Sequence, residues 1–140
     1  MPNAEEEKEL TGERPGFVSL WVGQFSEDEG LRQYTEFTYD EDGESVLPAF
    51  CADFGIDWFD EDFFEAYLAL EETSSLAELL AGCSYDEKII PEFEAQGLPE
   101  GTAWNTVVLL FNFGYPLKNR GKSAASGADR LVFVGMAEYE

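Results

Sequence analysis

The residues best able to do chemistry in this chain are carboxylates, set close together and interleaved with aromatic rings. Tyr39 is followed by Asp40-Glu41-Asp42, and Asp57-Trp58-Phe59-Asp60-Glu61-Asp62 places four acids around two large rings. Pairs such as Asp40/Asp42, Asp57/Asp60 and Asp60/Asp62 are the type of group that runs glycoside hydrolysis, one acting as acid and the other as base or nucleophile. With 30 Asp and Glu among 140 residues, however, adjacent pairs arise from composition alone. The chain has no His, so the usual acid–base residue near neutral pH is missing and no Ser-His or Cys-His nucleophile pair can form. No catalytic residue is assigned. Asp40-Glu41-Asp42-Gly43 is also the start of a calcium-loop pattern, but alignment on Gly43 puts Thr38 and Ala49 where an EF-hand needs acids. Cys51 and Cys83 lie in apolar surroundings and in no metal-ligand spacing, and no Gly-rich phosphate loop is present. Neither a metal nor a cofactor is expected.

What remains for these carboxylates is binding. The formal net charge is −22, which repels nucleic acid and anionic lipid and attracts basic partners. The charge is also segregated. Gln33 to Glu87 holds 16 acidic residues and no Lys or Arg, a separation that solubility alone would not require. Within that stretch an aromatic such as Trp58 can anchor in a basic cleft to which the acids are drawn. The plain alternative is that Trp58 and Phe59 pack a turn onto the core. The basic segment Lys118-Asn119-Arg120-Gly121-Lys122 reads as an exposed turn with charges for solubility; three cations in so acidic a protein make a poor nucleic-acid site.

The elements that must position these groups can be read from periodicity and punctuation. Residues 1–16 read as a flexible acidic tail without an apolar signal segment, and 17–140 as one domain. Phe17–Phe25 and Trp104–Phe113 are apolar on both faces, as buried strands are, and Leu131–Ala137 is a third strand. Phe63–Leu70 alternates as a fourth strand would, although Phe63, Phe64, Tyr67 and Leu68 also suit a helix; strand is the preferred reading. Helices are expected from Ser26, with Ser26/Glu29 as a capping box, and over Ser45–Phe54, ended by Gly55. Two more should follow the boxes Ser75/Glu78 and Ser84/Glu87, the last kinked or broken at Pro91. Gly114–Gly127 reads as a loop. The expected fold class is α+β, in the order β-α-α-β-α-α-β-β, with helices on one face of a mixed four-stranded sheet. The longest apolar run, Val107–Phe111, is too short to span a membrane, so a cytoplasmic protein is expected.

Four segments in order carry a resemblance: VSLWVG at 18–23, YDEDG at 39–43, DFGIDW at 53–58 and FDEDF at 59–63. Together they resemble the immunity protein 22 family of bacterial polymorphic toxin systems. The resemblance implies an α+β protein that shields its producing cell by binding a cognate toxin domain, without catalysis. It also singles out Trp21, Asp53 and Asp57. As a strand aromatic Trp21 suits the core better than a contact surface, and Asp53 suits a turn as well as an interface. The expected partner-binding set is therefore Tyr39, Asp40, Glu41, Asp42, Asp53, Asp57, Trp58, Asp60, Glu61 and Asp62. If the toxin is a nuclease, its cleft will be basic and this acidic face would mimic phosphate. The competing readings are an acidic nucleic-acid mimic or adaptor for a basic host protein, and a small carboxylate-dependent hydrolase.

Overall fold

The computed structural model describes residues 11–98, 103–126 and 129–139. Five strands form the main sheet: β1 (Gly12–Gln24), β4 (Phe64–Thr73), β5 (Trp104–Gly114), β6 (Ser123–Ser126) and β7 (Asp129–Glu138). Their spatial order is β4-β5-β1-β7-β6. β2 (Thr38–Tyr39) and β3 (Ser45–Val46) make a separate small hairpin. The helices are α1 (Asp28–Thr35), α2 (Ala49–Phe54), α3 (Leu76–Leu80) and α4 (Asp86–Gln96).

The α+β class holds, but the expected sheet does not. It has five strands and not four, and every neighbouring pair is antiparallel. β1 and β4 are joined through α1 and α2, which suggests parallel neighbours. They do run the same way, but β5 is inserted between them and opposes both.

Nor do the helices share one face. Along β1, Val18, Leu20 and Val22 face a core layer with Leu76, Leu80, Ile89 and Phe93 of α3 and α4. Trp21 points the other way, into Leu31, Phe50 and Phe54 of α1 and α2. The sheet is thus the middle of three layers. This explains why β1 and β5 are apolar on both sides: a strand buried on both faces loses the alternation of a half-exposed one.

Local signals succeed and fail for identifiable reasons. Gly55 ends α2 in the left-handed region (φ 68°), its amide donating to the Cys51 carbonyl. Half of the Ser75 box forms, the Glu78 amide donating to Ser75 Oγ at 3.3 Å, while the Ser75 amide donates to Thr73 Oγ1 at 3.0 Å and the Thr73 hydroxyl to Glu78 Oε2. The Ser26 box does not. Ser26 instead donates from its amide (3.0 Å) and hydroxyl (3.1 Å) to Asp129 Oδ1, tying the end of β1 to the start of β7. The Ser84 box also fails, because the Ser84 amide turns to Glu65 Oε1 and α4 starts from Tyr85 without a side-chain cap. The helix expected from Ser45 begins only at Ala49, since Pro48 disfavours helical backbone before it. α4 runs through Pro91 unbroken. β1 begins at Gly12, inside the stretch expected as tail; residues 1–10 lie outside the described part. β6 emerges from the segment read as loop.

Cys51 and Cys83 are unpaired and buried, one in each core layer, with the sheet between them. Burial pushes the Cys51 thiol up to about 11 and the Cys83 thiol up to about 12, the carboxylates of Glu65 and Asp86 adding to the latter. At pH 8 the thiolate fraction is then on the order of one in a thousand or less. Neither thiol should react with a thiol-specific reagent in the native protein at pH 8, and both should react in guanidinium. Prompt labelling of the native protein would contradict this packing.

Candidate functional site

Asp40 builds the β2–β3 turn. Its Oδ1 accepts the amides of Asp42 and Glu44, each at 2.9 Å, and its carbonyl accepts the Gly43 amide. Gly43 takes φ 81°, a conformation that favours glycine. Glu41 and Asp42 are exposed on this turn, and Tyr39 is 69% exposed at its base.

The 57–62 loop is held by one ring. Phe59 is 2% exposed. It lies 5.0 Å from Phe37 and 5.3 Å, stacked, from Phe64, and 6.0 Å from Phe50. Its neighbour Trp58 is 61% exposed. Two adjacent aromatics thus have opposite fates, because the extended loop turns them to opposite sides. Asp60 then starts a single 3₁₀ turn (Glu61–Phe63), its Oδ1 accepting the Asp62 amide at 2.9 Å. Asp57, Glu61 and Asp62 are exposed. Because Phe37 immediately precedes β2, its contact with Phe59 sets the base of the hairpin beside this loop. That pair ties the stem of the hairpin to the loop that carries the second acidic segment.

Asp53 has a different setting. Its Oδ2 accepts the Tyr34 hydroxyl at 2.7 Å, linking α2 to α1. Burial, reinforced by this hydrogen bond, raises the Tyr34 phenol well above its ordinary value. Trp21 is fully buried, the core position favoured for it.

Cations do little to offset the acids. The two ion pairs among the described residues both use Arg32, with Glu29 and Glu36. Arg120 was expected merely to solubilise a turn, but it is a clip. Its Nε donates to the Val134 carbonyl at 3.0 Å and its Nη2 to the Gln96 carbonyl at 2.8 Å, joining β7 to the end of α4. Arg130 lies 4.7 Å over the Trp104 ring and donates to Gln24. Among the described residues, no group of three or more candidate metal ligands gathers, and no helix is long and apolar enough to cross a membrane.

Sequence reasoning missed the groove beside Trp58. A cavity of about 330 Å³ opens between Trp58, Asp60 and Phe63 on one wall and Glu13, Pro15 and the end of β5 on the other. Glu13 lay in the segment read as tail, and Phe63 is 44% exposed although it opened the expected strand. No local pattern marks either, because the groove exists only through the pairing of the strands behind it.

Against known proteins, a family model described as Immunity protein 22 matches residues 18–140. No curated protein and no solved structure matches the chain.

Proposed function

Because the chain belongs to the immunity protein 22 family, we propose that it protects its producing cell, from the cytoplasm, by binding a cognate toxin domain and covering that domain's active-site cleft. The observation that carries this mechanism is the exposed Trp58 among carboxylates that form no ion pair among the described residues. Tyr39, Glu41, Asp42, Asp57, Asp60, Glu61 and Asp62 extend the same acidic face. A basic cleft, such as a nuclease presents to phosphate, is the complementary surface. Opposite charges speed the encounter, and the aromatic anchor slows departure. Inhibition in this scheme is by occupancy and consumes nothing.

The test is titration of the cognate toxin domain, to be sought in the gene adjacent to this one. Toxin activity should fall linearly with added protein and vanish near one equivalent, with a stable complex by size exclusion. Inhibition far below one equivalent would indicate catalytic inactivation, and no inhibition at any ratio would remove the immunity mechanism.

A further inference from the structure

The groove beside Trp58 has a definite construction. β4 pairs with β5 only as far as Phe64 opposite Leu110. Beyond that point β4 gives way to the 3₁₀ turn, and among the described residues the outer edge of Phe111–Phe113 has no strand partner. On the other side of β5, β1 carries an irregularity between Glu13 and Val18. Asn112 holds it, in the left-handed region (φ 56°), with Oδ1 accepting the Gly16 amide at 3.0 Å and the Tyr139 hydroxyl at 2.5 Å. Asparagine tolerates that backbone better than most residues. The bulge brings Glu13 and Pro15 to the mouth of the groove, opposite Trp58 and Phe63.

The chemistry of these walls is specific. Trp58 and Phe63 offer ring surface. Glu13 and Asp60 offer carboxylates with no ion-pair partner among the described residues, and one oxygen of Asp60 is already committed to the Asp62 amide. A planar cation satisfies both kinds of wall: it stacks on an indole and donates in the plane to carboxylate oxygens. A compact ammonium ion satisfies only the second, and is more strongly hydrated. An uncharged apolar side chain would strip water from two carboxylates without compensation.

We propose that this groove seats one arginine side chain of the toxin, stacked on Trp58 and paired with Glu13 and Asp60. This deepens the immunity reading and rests on it for the source of the arginine.

The experiment has two arms. The first uses a small probe and no toxin: N-acetyl-arginine N-methylamide, titrated to millimolar concentration against ¹⁵N-labelled protein. Trp21 and Trp104 are buried, so the indole signal of Trp58 can be told apart from theirs by solvent accessibility. That signal and the Phe111–Phe113 amides should shift saturably, and Glu13→Gln with Asp60→Asn should abolish the shift. The matching citrulline amide, the same shape without charge, should do nothing, and the lysine amide should bind several-fold more weakly. Equal shifts with citrulline or lysine would overturn the assignment to arginine. The second arm uses the cognate toxin domain. Trp58→Ala and Asp60→Asn should each weaken binding by at least about 30-fold, the scale of an interface hot spot. Asn at position 60 keeps an oxygen for the Asp62 amide, so the turn survives. If toxin binds with unchanged affinity to both variants, the groove assignment fails and the immunity reading stands. If wild-type protein does not bind the toxin, the immunity reading fails, and the toxin as the source of the arginine falls with it.

Discussion

Trp21→Ala should lower the folding stability by about 3–5 kcal/mol, the cost of removing a buried large aromatic. Trp21 is 0% exposed in the central strand of the sheet. Its ring meets Phe50 at 5.0 Å, Phe133 at 5.1 Å, Tyr115 at 5.3 Å and Phe54 at 5.9 Å. These partners come from α2, from β7 and from the segment after β5, so the indole sits where three parts of the chain meet, and Tyr115 and Phe133 also touch each other at 4.7 Å. Tyr115 is itself fixed, its hydroxyl donating to the Phe54 carbonyl. A cavity at the centre of this set cannot close by moving one side chain. Trp21→Phe keeps a ring and removes an indole N–H that has no hydrogen-bond partner, so it should cost much less. Urea denaturation is the measurement, with the midpoint falling and the slope unchanged. Because no part of Trp21 reaches the surface, the alanine variant should lose toxin binding only as far as it unfolds. A folded Trp21→Ala protein of normal midpoint that no longer binds would place the residue at the interface, against its burial.

The contrast between Trp21 and Trp58 shows what the chain discloses without a structure. Trp21 sits in FVSLWVGQF, where apolar neighbours on both sides already imply burial on both faces. The same signal marks β5 and β7. Trp58 and Phe59 have no such context: they are adjacent, similar and set among acids, and only the contacts with Phe37, Phe50 and Phe64 decide which is core. The sides taken by the helices were illegible for a related reason. An amphipathic stripe states that a helix packs, but not which face of the sheet receives it. That choice follows from connection geometry, with the β1–β4 link crossing one face and the β4–β5 link the other. β2, β3 and β6 are short, polar or small-residued, and carry no periodicity to find. The acidic segments, by contrast, were visible as composition, and the Phe37–Phe59 contact between the hairpin stem and the 57–62 loop was not.

Neutralising the acidic loop should weaken toxin binding far more than neutralising an equal charge elsewhere. Asp57→Asn, Asp60→Asn and Asp62→Asn together remove three charges while leaving the fold in place. Asp57 and Asp62 are exposed, and asparagine at 60 retains an acceptor for the turn amide. The control is Glu87→Gln, Glu92→Gln and Glu94→Gln on α4, three exposed acids on a helix packed against the opposite side of the sheet. Long-range attraction senses both sets alike, and salt screens it with a length of about 8 Å at physiological ionic strength. Contact does not sense them alike. A carboxylate desolvated against a basic group costs about 2–5 kcal/mol on truncation and appears in the off-rate, whereas a rim charge changes the on-rate. Association should therefore slow with salt for wild type and for both triple variants, while only the loop variant should dissociate faster. Binding kinetics at two salt concentrations, with circular dichroism to confirm folding, separate these terms. Equal losses in the two variants would mean that the −22 charge acts as a diffuse field and that the 57–62 loop is no contact. If neither loses affinity, the toxin is held by another surface, and the acids around Trp58 serve some purpose other than holding it.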